Sequence, residues 1–287
     1  MLSTTKPLVT ISIPTFNSGK TLQLCLEAIK NQTYKNIHIS IIDGASKDKA
    51  IEVAKKFGIK DIKICRGSLL EARYMGVKNA KGKYTLMLDG DQILNHDSIK
   101  NAVDVSENQK IDMLAFEETL YNTSNFLEKL FNSDRTLINA INDLSPFTGV
   151  IMPRFFNTSL LKKAYSNIPK DIFKNTGGPD HAIVYYEAWL LSKKIEILPN
   201  AVKHIEPNSL PTLFKKFYRW GFTSIDAHTG KYHELMSRKE RFRTGLFTKG
   251  LILESFGSIL LLILKGVPFK IGFFTAAVQK SINKLDN

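Results

Sequence analysis

Residues Tyr84 to Ile93 read Tyr-Thr-Leu-Met-Leu-Asp-Gly-Asp-Gln-Ile, a short apolar run that stops at Asp89-Gly90-Asp91. The run has the length and composition of a buried strand. Two carboxylates one residue apart at its end are the donors a hard divalent cation takes: Mg²⁺ or Mn²⁺ held this way keeps positions open for substrate phosphates and water. Asp-Gly is equally a turn dipeptide, so the meaning of the stretch rests on its neighbours.

Upstream, Leu8–Ile13, Ile37–Ile42 and Ile62–Cys65 are compact apolar runs rich in β-branched residues. Between and after them, Lys20–Asn31, Ala50–Phe57 and Leu69–Ala80 carry apolar residues at helical spacing. Lys83–Leu88 is then a fourth strand, Asp97–Glu107 a helix and Ile111–Phe116 a fifth strand. Strands alternating with helices predict an α/β, Rossmann-like unit whose parallel sheet is covered on both faces. Ligands of such sheets bind beyond the carboxyl ends of the strands, where Pro14-Thr15, Asp43 and Asp89-Gly90-Asp91 follow three of these runs. The first strand is followed by neither a Gly-x-Gly-x-x-Gly nor a P-loop, so a bound phosphate would need a metal rather than a cradle of backbone amides.

Farther along, Glu117–Ser145 reads as helical and Pro146–Met152 as a strand opening a second subregion. Gly177-Gly178-Pro179 is a loop, Ala182–Leu191 a helix, and Ile195–Leu198 and Ala201–Ile205 are short strands. After Pro211 basic and aromatic residues interleave, from Leu213 to Trp220 and again from Arg238 to Arg243. Leu246–Lys280 is the most apolar part of the chain, yet its longest charge-free stretch is the ten residues Ser255–Leu264, short of the roughly 20 that span a bilayer. It divides into two amphipathic segments, Leu246–Leu264 and Val267–Gln279, hinged at Gly266-Val267-Pro268. These either lie in a membrane interface beside their basic flank or pack on the core.

The 287 residues are 43% hydrophobic, enough to bury a full core and to exclude a disordered chain. The formal charge of +13 is concentrated late, with 14 Lys and Arg against 6 Asp and Glu from residue 201 onward. Such an excess suits nucleic acid, anionic phosphates or an acidic membrane surface. Cys25 and Cys65 have no metal-ligand spacing and read as buried free thiols. Leu8–Ile13 is too short for a signal-peptide core, so the expected location is the cytoplasm.

Five ordered segments carry a family likeness: Val9–Asn17, Gln32-Thr33-Tyr34, Ile41–Asp48, Ala72-Arg73-Tyr74-Met75-Gly76, and Leu88-Asp89-Gly90-Asp91. In order and spacing they resemble the family 2 glycosyltransferases of GT-A fold, closely over residues 8–95 and more loosely to about 225. The resemblance implies a GT-A domain over residues 1–225, with a nucleotide-sugar half (1–117) and an acceptor half (118–225), followed by a helical extension over 226–287. It implies a metal-dependent, inverting, hexosyltransferase-type enzyme. The donor would be a UDP- or GDP-sugar. The acceptor would be a glycan or, from the apolar and basic C-terminal third rather than the resemblance, a polyprenyl- or dolichyl-linked one met peripherally on the cytoplasmic face of the membrane.

By the same resemblance Asp43 contacts the nucleotide base and Pro14, Thr15 and Phe16 line its pocket. Arg73 lies near the nucleotide, with Tyr74 where the family has Asn. Asp91 and Asp89 form the metal motif, Asp89 being nearer the ribose, and His204 sits near metal or diphosphate. Asp180 falls on the general base, although Pro179 replaces the usual Glu before it. Inverting displacement of a nucleoside diphosphate needs these types: cations to neutralise the leaving group, and a carboxylate on the opposite face of the sugar to take the acceptor proton.

Each residue also has a plainer reading. Asp43 caps a turn with Ser46, Asp180 caps the following helix, His181 rivals it as base, and His204 is an ordinary strand residue. Arg73 pairs with Glu71 or Asp43, and Phe214, Phe217 and Trp220 form a helix face in the core. A basic nucleic-acid-binding α/β protein is the alternative function, opposed by the acidic cluster of Asp43, Asp89 and Asp91. A phosphohydrolase or nucleotidyltransferase would need other loops.

Overall fold

Val9–Thr15 forms β1 with all seven residues buried, as expected of a strand covered on both faces. In this computed structural model, which describes residues 6–285 except 142, 149–150, 229 and 243–249, β1 sits between two parallel partners. These are β2 (Ile37–Asp43) and β4 (Tyr84–Met87), with β3 (Asp61–Ile64) parallel to β2 beyond. On the other side of β4 come β7 (Pro153–Asn157) and β6 (Met113–Leu120), both pairings antiparallel, then β8 (Ile195–His204) and a short β5 (Gln92–Leu94). The eight strands run in the order β3-β2-β1-β4-β7-β6-β8-β5. A flat sheet would hold β5 about 19 Å from β4. The step from Met87 to Gln92, which contains a turn, spans at most about 17 Å, so the sheet curls and brings its far edge back beside Asp89-Gly90-Asp91.

Helices cover both faces. Helices α1 (Gly19–Lys30), α2 (Ala50–Lys56) and α4 (Ser98–Gln109) pack Leu22, Leu26, Ala54 and Ile99 against one face. On the other lie α3 (Leu69–Lys78), α6 (Thr158–Ser166), α7 (Lys170–Phe173), α8 (Asp180–Leu191) and α10 (His233–Phe242), around Tyr165, Ile183 and Tyr185. A third core joins α5 (Phe126–Ile141), α9 (Leu210–Phe222) and α11 (Ile252–Leu285) through Leu130, Leu213, Phe217 and Leu261. Helix α3 lies directly on the sheet: a Cβ on Gly76 would overlap Ser12 Oγ in β1.

The α/β architecture agrees with the sequence reading, and Cys25 and Cys65 are buried free thiols. Several boundaries differ. The strand expected at Pro146–Met152 lies at Pro153–Asn157. Residues 146–148 form a turn, and 149–150 fall outside the described residues. Proline is tolerated at the first position of a strand, and the strand is anchored by the fully buried Phe155 and Phe156. β6 continues to Leu120 instead of turning helical at Glu117, because buried Glu118 is neutralised there by arginines. The two short strands at 195–205 are one, β8, with Asn200 at φ 48° absorbing a register shift.

Gly266-Val267-Pro268 is no hinge: α11 is continuous, with Pro268 inside it. Residues 246–249, where its first segment was expected to begin, lie outside the described residues, as do the side chains of 239–243 in the basic cluster. Counting charge-free residues also understated this helix, which is long and apolar enough to cross a membrane by length and composition alone.

Candidate active site

The three strand ends singled out in the sequence meet at one rim. Thr15 and Asp43 are register partners at the ends of β1 and β2, and Thr15 Oγ1 donates to Asp43 Oδ2 at 2.9 Å. Ser46 closes the turn, its N donating to Asp43 Oδ1 at 2.7 Å and its Oγ to Oδ2 at 2.6 Å. Asp43 therefore does cap this turn, and the capping fixes a fully buried carboxylate. Pro14 is buried beside it, while the Phe16 ring is 53% exposed and lies over Gly44. Gly90 abuts Thr15 and Ser18, joining this patch to the acidic turn.

Asp89 follows β4 and is gripped by two arginines. Arg73 Nη2 donates to its Oδ1 at 2.6 Å and Arg154 Nη1 to its Oδ2 at 2.7 Å. Burial alone would raise the Asp89 pKa, but Arg73 and Arg154 outweigh it and hold the carboxyl well below the usual range. The same Arg73, buried in α3, donates through Nε to Asp180 Oδ2. Its pairs are thus Asp89 and Asp180 rather than Glu71 or Asp43. Asp180 lies in the first turn of α8, where Pro179 holds the N-cap position, and its carboxylate is turned to the arginine. His181 Nε2 lies 2.7 Å from Arg154 Nη1, and burial with the two arginines pushes its pKa down to about 4. Arg154 can only donate, so His181 Nε2 is the acceptor in that contact and is already engaged.

Asp91 behaves differently from Asp89. Its side chain is 33% exposed, and its Oδ2 lies 3.3 Å from His204 Nε2. The backbone fixes this meeting, because Ile205 N donates to Asp91 O and Gln92 pairs with His204 across β5 and β8. Burial disfavours a charged His204, but Glu206 and Asp91 overcome it and push the pKa up to about 10. Glu206 Oε1 and Glu118 Oε2 stand 3.3 and 3.4 Å from His204 Nδ1. His204 is therefore ringed by Asp91, Glu118 and Glu206 rather than an ordinary strand residue.

A supporting layer was not legible beforehand: Arg154, Glu118, Gln92, Arg135, Glu206 and Lys216. Gln92 accepts from Asp89 N at 3.0 Å and donates to Glu118 Oε1 at 2.9 Å. Arg135 reaches Glu118 and Glu206 at 2.9 and 3.4 Å, and Lys216 reaches Glu206 at 3.3 Å. The one signal for them was a charge inside an apolar run, as at Arg154 before Phe155-Phe156. Of the helix face expected in the core, Phe217 and Trp220 pack into the third core while Phe214 is exposed.

The donor set suits a hard cation in one specific way. Both Asp89 oxygens are occupied by arginines, whereas Asp91 is partly exposed with His204 at its back. That fits an ion held by Asp91 and completed by substrate oxygens. A protein cage is a different matter: among the described residues no three His, Cys, Asp or Glu side chains cluster as a ligand set.

Comparison with known proteins bears on the family and the fold. The profile of Glycosyl transferase family 2 matches residues 10–194. Glycosyltransferase GlyG of Streptococcus pneumoniae is 30% identical over 113 residues, 37% of this chain and 38% of that protein. Escherichia coli WfaP, a UDP-Glc:alpha-D-GlcNAc-diphosphoundecaprenol beta-1,3-glucosyltransferase, is 35% identical over 111 residues, 36% of this chain and 43% of that protein. These alignments thus span well under half of each relative.

Among solved structures, S. aureus TarS 1-349 in complex with UDP-GlcNAc superposes with a TM-score of 0.56 at 18% identity, covering 89% of this chain and 79% of that one. The mannosyltransferase PcManGT of Pyrobaculum calidifontis, in complex with GDP-Man and Mn²⁺, gives 0.55 at 15% identity, covering 98% and 81%. At such identities the likeness speaks for the fold. With the family profile matched across well over half of its length, and with a curled mixed sheet of GT-A type, the chain belongs to glycosyltransferase family 2.

Proposed function

We propose that this chain is a metal-dependent inverting glycosyltransferase. It moves a sugar from a UDP- or GDP-sugar to a hydroxyl of a glycan or a polyprenyl- or dolichyl-linked acceptor, at the cytoplasmic face of a membrane. The observation that carries the reading is the bridge made by Arg73, one guanidinium holding Asp89 on the strand-end side and Asp180 on the α8 side. A leaving-group side and a base side are thereby fixed to each other.

In this reading the base and ribose lie along Phe16, Thr15 and Asp43, and the diphosphate lies over Asp91. A bound Mg²⁺ or Mn²⁺ would supply charge neutralisation for the departing diphosphate; Asp91 would hold it, with Asp89 and His204 beside it. Arg73, Arg154 and Lys216 add fixed positive charge around the same point. Asp180 gives Oδ2 to Arg73, which leaves Oδ1 to accept the proton of the incoming hydroxyl. Support for the substrate classes comes from the relatives. One is named for a diphosphoundecaprenol-linked acceptor and another for a dolichyl phosphate one, and the structural neighbours were solved with UDP-GlcNAc or with GDP-Man and Mn²⁺.

Calorimetric titration of UDP, GDP and their sugars, with and without Mn²⁺ or Mg²⁺, tests the proposal. One nucleotide should bind in a metal-dependent manner, and Asp91→Ala should remove the metal-dependent part. Equal affinity with and without metal would overturn it.

A further inference from the structure

Helix α11 has two unlike faces. On one, Leu253, Phe256, Ile263, Val267, Phe274 and Val278 are each more than half exposed. Their spacings of three, four and seven residues keep them on one stripe, about 37 Å long at the helical rise. A monomeric soluble chain rarely leaves an apolar band of this length in water. The opposite face is fastened down. Ser258 Oγ donates to Asp134 Oδ1 at 2.6 Å and Lys265 Nζ to Asp134 Oδ2 at 3.2 Å. A Cβ on Gly221 would overlap Phe269 O, and one on Gly272 would overlap Tyr218 O, so the backbones of α9 and α11 touch.

We infer that α11 docks flat on an anionic lipid bilayer through this stripe. This rests on and deepens the membrane-peripheral part of the proposal above, and it is independent of the transfer chemistry. Charge selects the occupant: from residue 250 to 283 the only acid is Glu254, and of the three lysines Lys265 is taken up by Asp134 on the fastened face while Lys270 and Lys280 reach water. Lys270 is exposed, and Lys280, although paired with Asp226, is 46% exposed. An apolar stripe flanked by exposed Lys270, with no acid along most of its length, suits an acidic headgroup surface. The fastening decides orientation. Crossing the bilayer would strip Lys265 and Ser258 from Asp134 and separate the glycine contacts, whereas lying in plane disturbs neither.

Docking also has a route to the candidate site. Asp134 holds α11, and the next residue of α5, Arg135, pairs with Glu118 and Glu206 beside His204. A bilayer bound by α11 is thereby held in a fixed relation to the carboxylate cluster.

The test is flotation of the full chain with vesicles of phosphatidylcholine, with or without phosphatidylglycerol. The chain should float with the anionic vesicles and be released by alkaline carbonate. An Ile263→Glu/Phe274→Glu variant should partition about tenfold less, with nucleotide binding by calorimetry unchanged as evidence that it folds. Equal flotation of variant and parent overturns the docking face, and carbonate-resistant retention overturns the in-plane orientation. A lipid-free dimer that the same substitutions dissociate, without flotation of the parent, would assign the stripe to a second copy instead. Absence of flotation with intact nucleotide binding removes the docking and leaves the transferase reading standing.

Discussion

Arg154 Nη1 lies 2.7 Å from Asp89 Oδ2, and its Nη2 lies 3.1 Å from Glu118 Oε1. One buried cation from β7 therefore neutralises carboxylates from two other segments of the chain. Removing one member of a buried pair leaves the other charged and unsolvated, at a cost of about 3–5 kcal/mol. Arg154→Ala is expected to lose that much stability in denaturant unfolding. Arg154→Lys keeps the charge but not the fork and should lose less. Equal stability of Arg154→Ala and the parent would mean that the pair is not buried in solution.

The two acids of the Asp-Gly-Asp turn should separate cleanly. Asp89→Asn leaves Arg73 and Arg154 underneutralised and is expected to destabilise by about 3 kcal/mol or more. Asp91→Asn weakens a partly exposed ion pair and should cost less than about 1 kcal/mol. Nucleotide affinity in Mn²⁺ should respond in the opposite sense, with Asp91→Asn losing the metal-dependent part while remaining folded. Parallel unfolding curves and titrations of both variants check this, and a reversed order in either would reject the division of labour.

Asp180→Asn keeps an oxygen for Arg73 Nε but cannot take a proton. Transfer turnover should fall by about 10²–10⁴-fold, the usual worth of a general base, while affinity for the donor nucleotide changes little. His181→Asn serves as comparison. A larger loss of turnover there than in Asp180→Asn would move the base to the histidine.

These relationships were unequally legible in the sequence. The parallel half of the sheet could be read because β1 and β4 are buried throughout and β2 over its second half, and no Lys, Arg, Asp or Glu interrupts their apolar residues before the strand ends. Asp43, Asp89 and Asp91 could be found because each closes such a run. The antiparallel half was harder. β7 contains an arginine and begins with proline, and β6 carries buried Glu118, so each departs from the apolar pattern where its ion pairs form. Arg154, Glu118 and Glu206 are far apart in sequence and converge only because the sheet curls, which no local period encodes. The C-terminal helix misled for another reason: Gly266 and Pro268 look like a break, but contacts along α9 on either side of Pro268 hold the helix through it.

Gly76 ties the sheet to the chemistry. It sits three residues after Arg73 on the same face of α3, and an added Cβ would overlap Ser12 Oγ in β1. Gly76→Ala should therefore push α3 off the sheet, with an overpacking cost of about 1–3 kcal/mol, and tilt the guanidinium that holds Asp89 and Asp180. Turnover should suffer more than nucleotide affinity, because the bridge spans the proposed leaving-group and base sides while the Thr15–Asp43 contact lies on other elements. The obstruction is chiefly one hydroxyl, with Ser12 Cβ at 3.1 Å. Ser12→Ala combined with Gly76→Ala should thus recover most of the lost stability and part of the turnover. A double variant no better than Gly76→Ala alone would show that the helix is held at its height over β1 by something other than this contact.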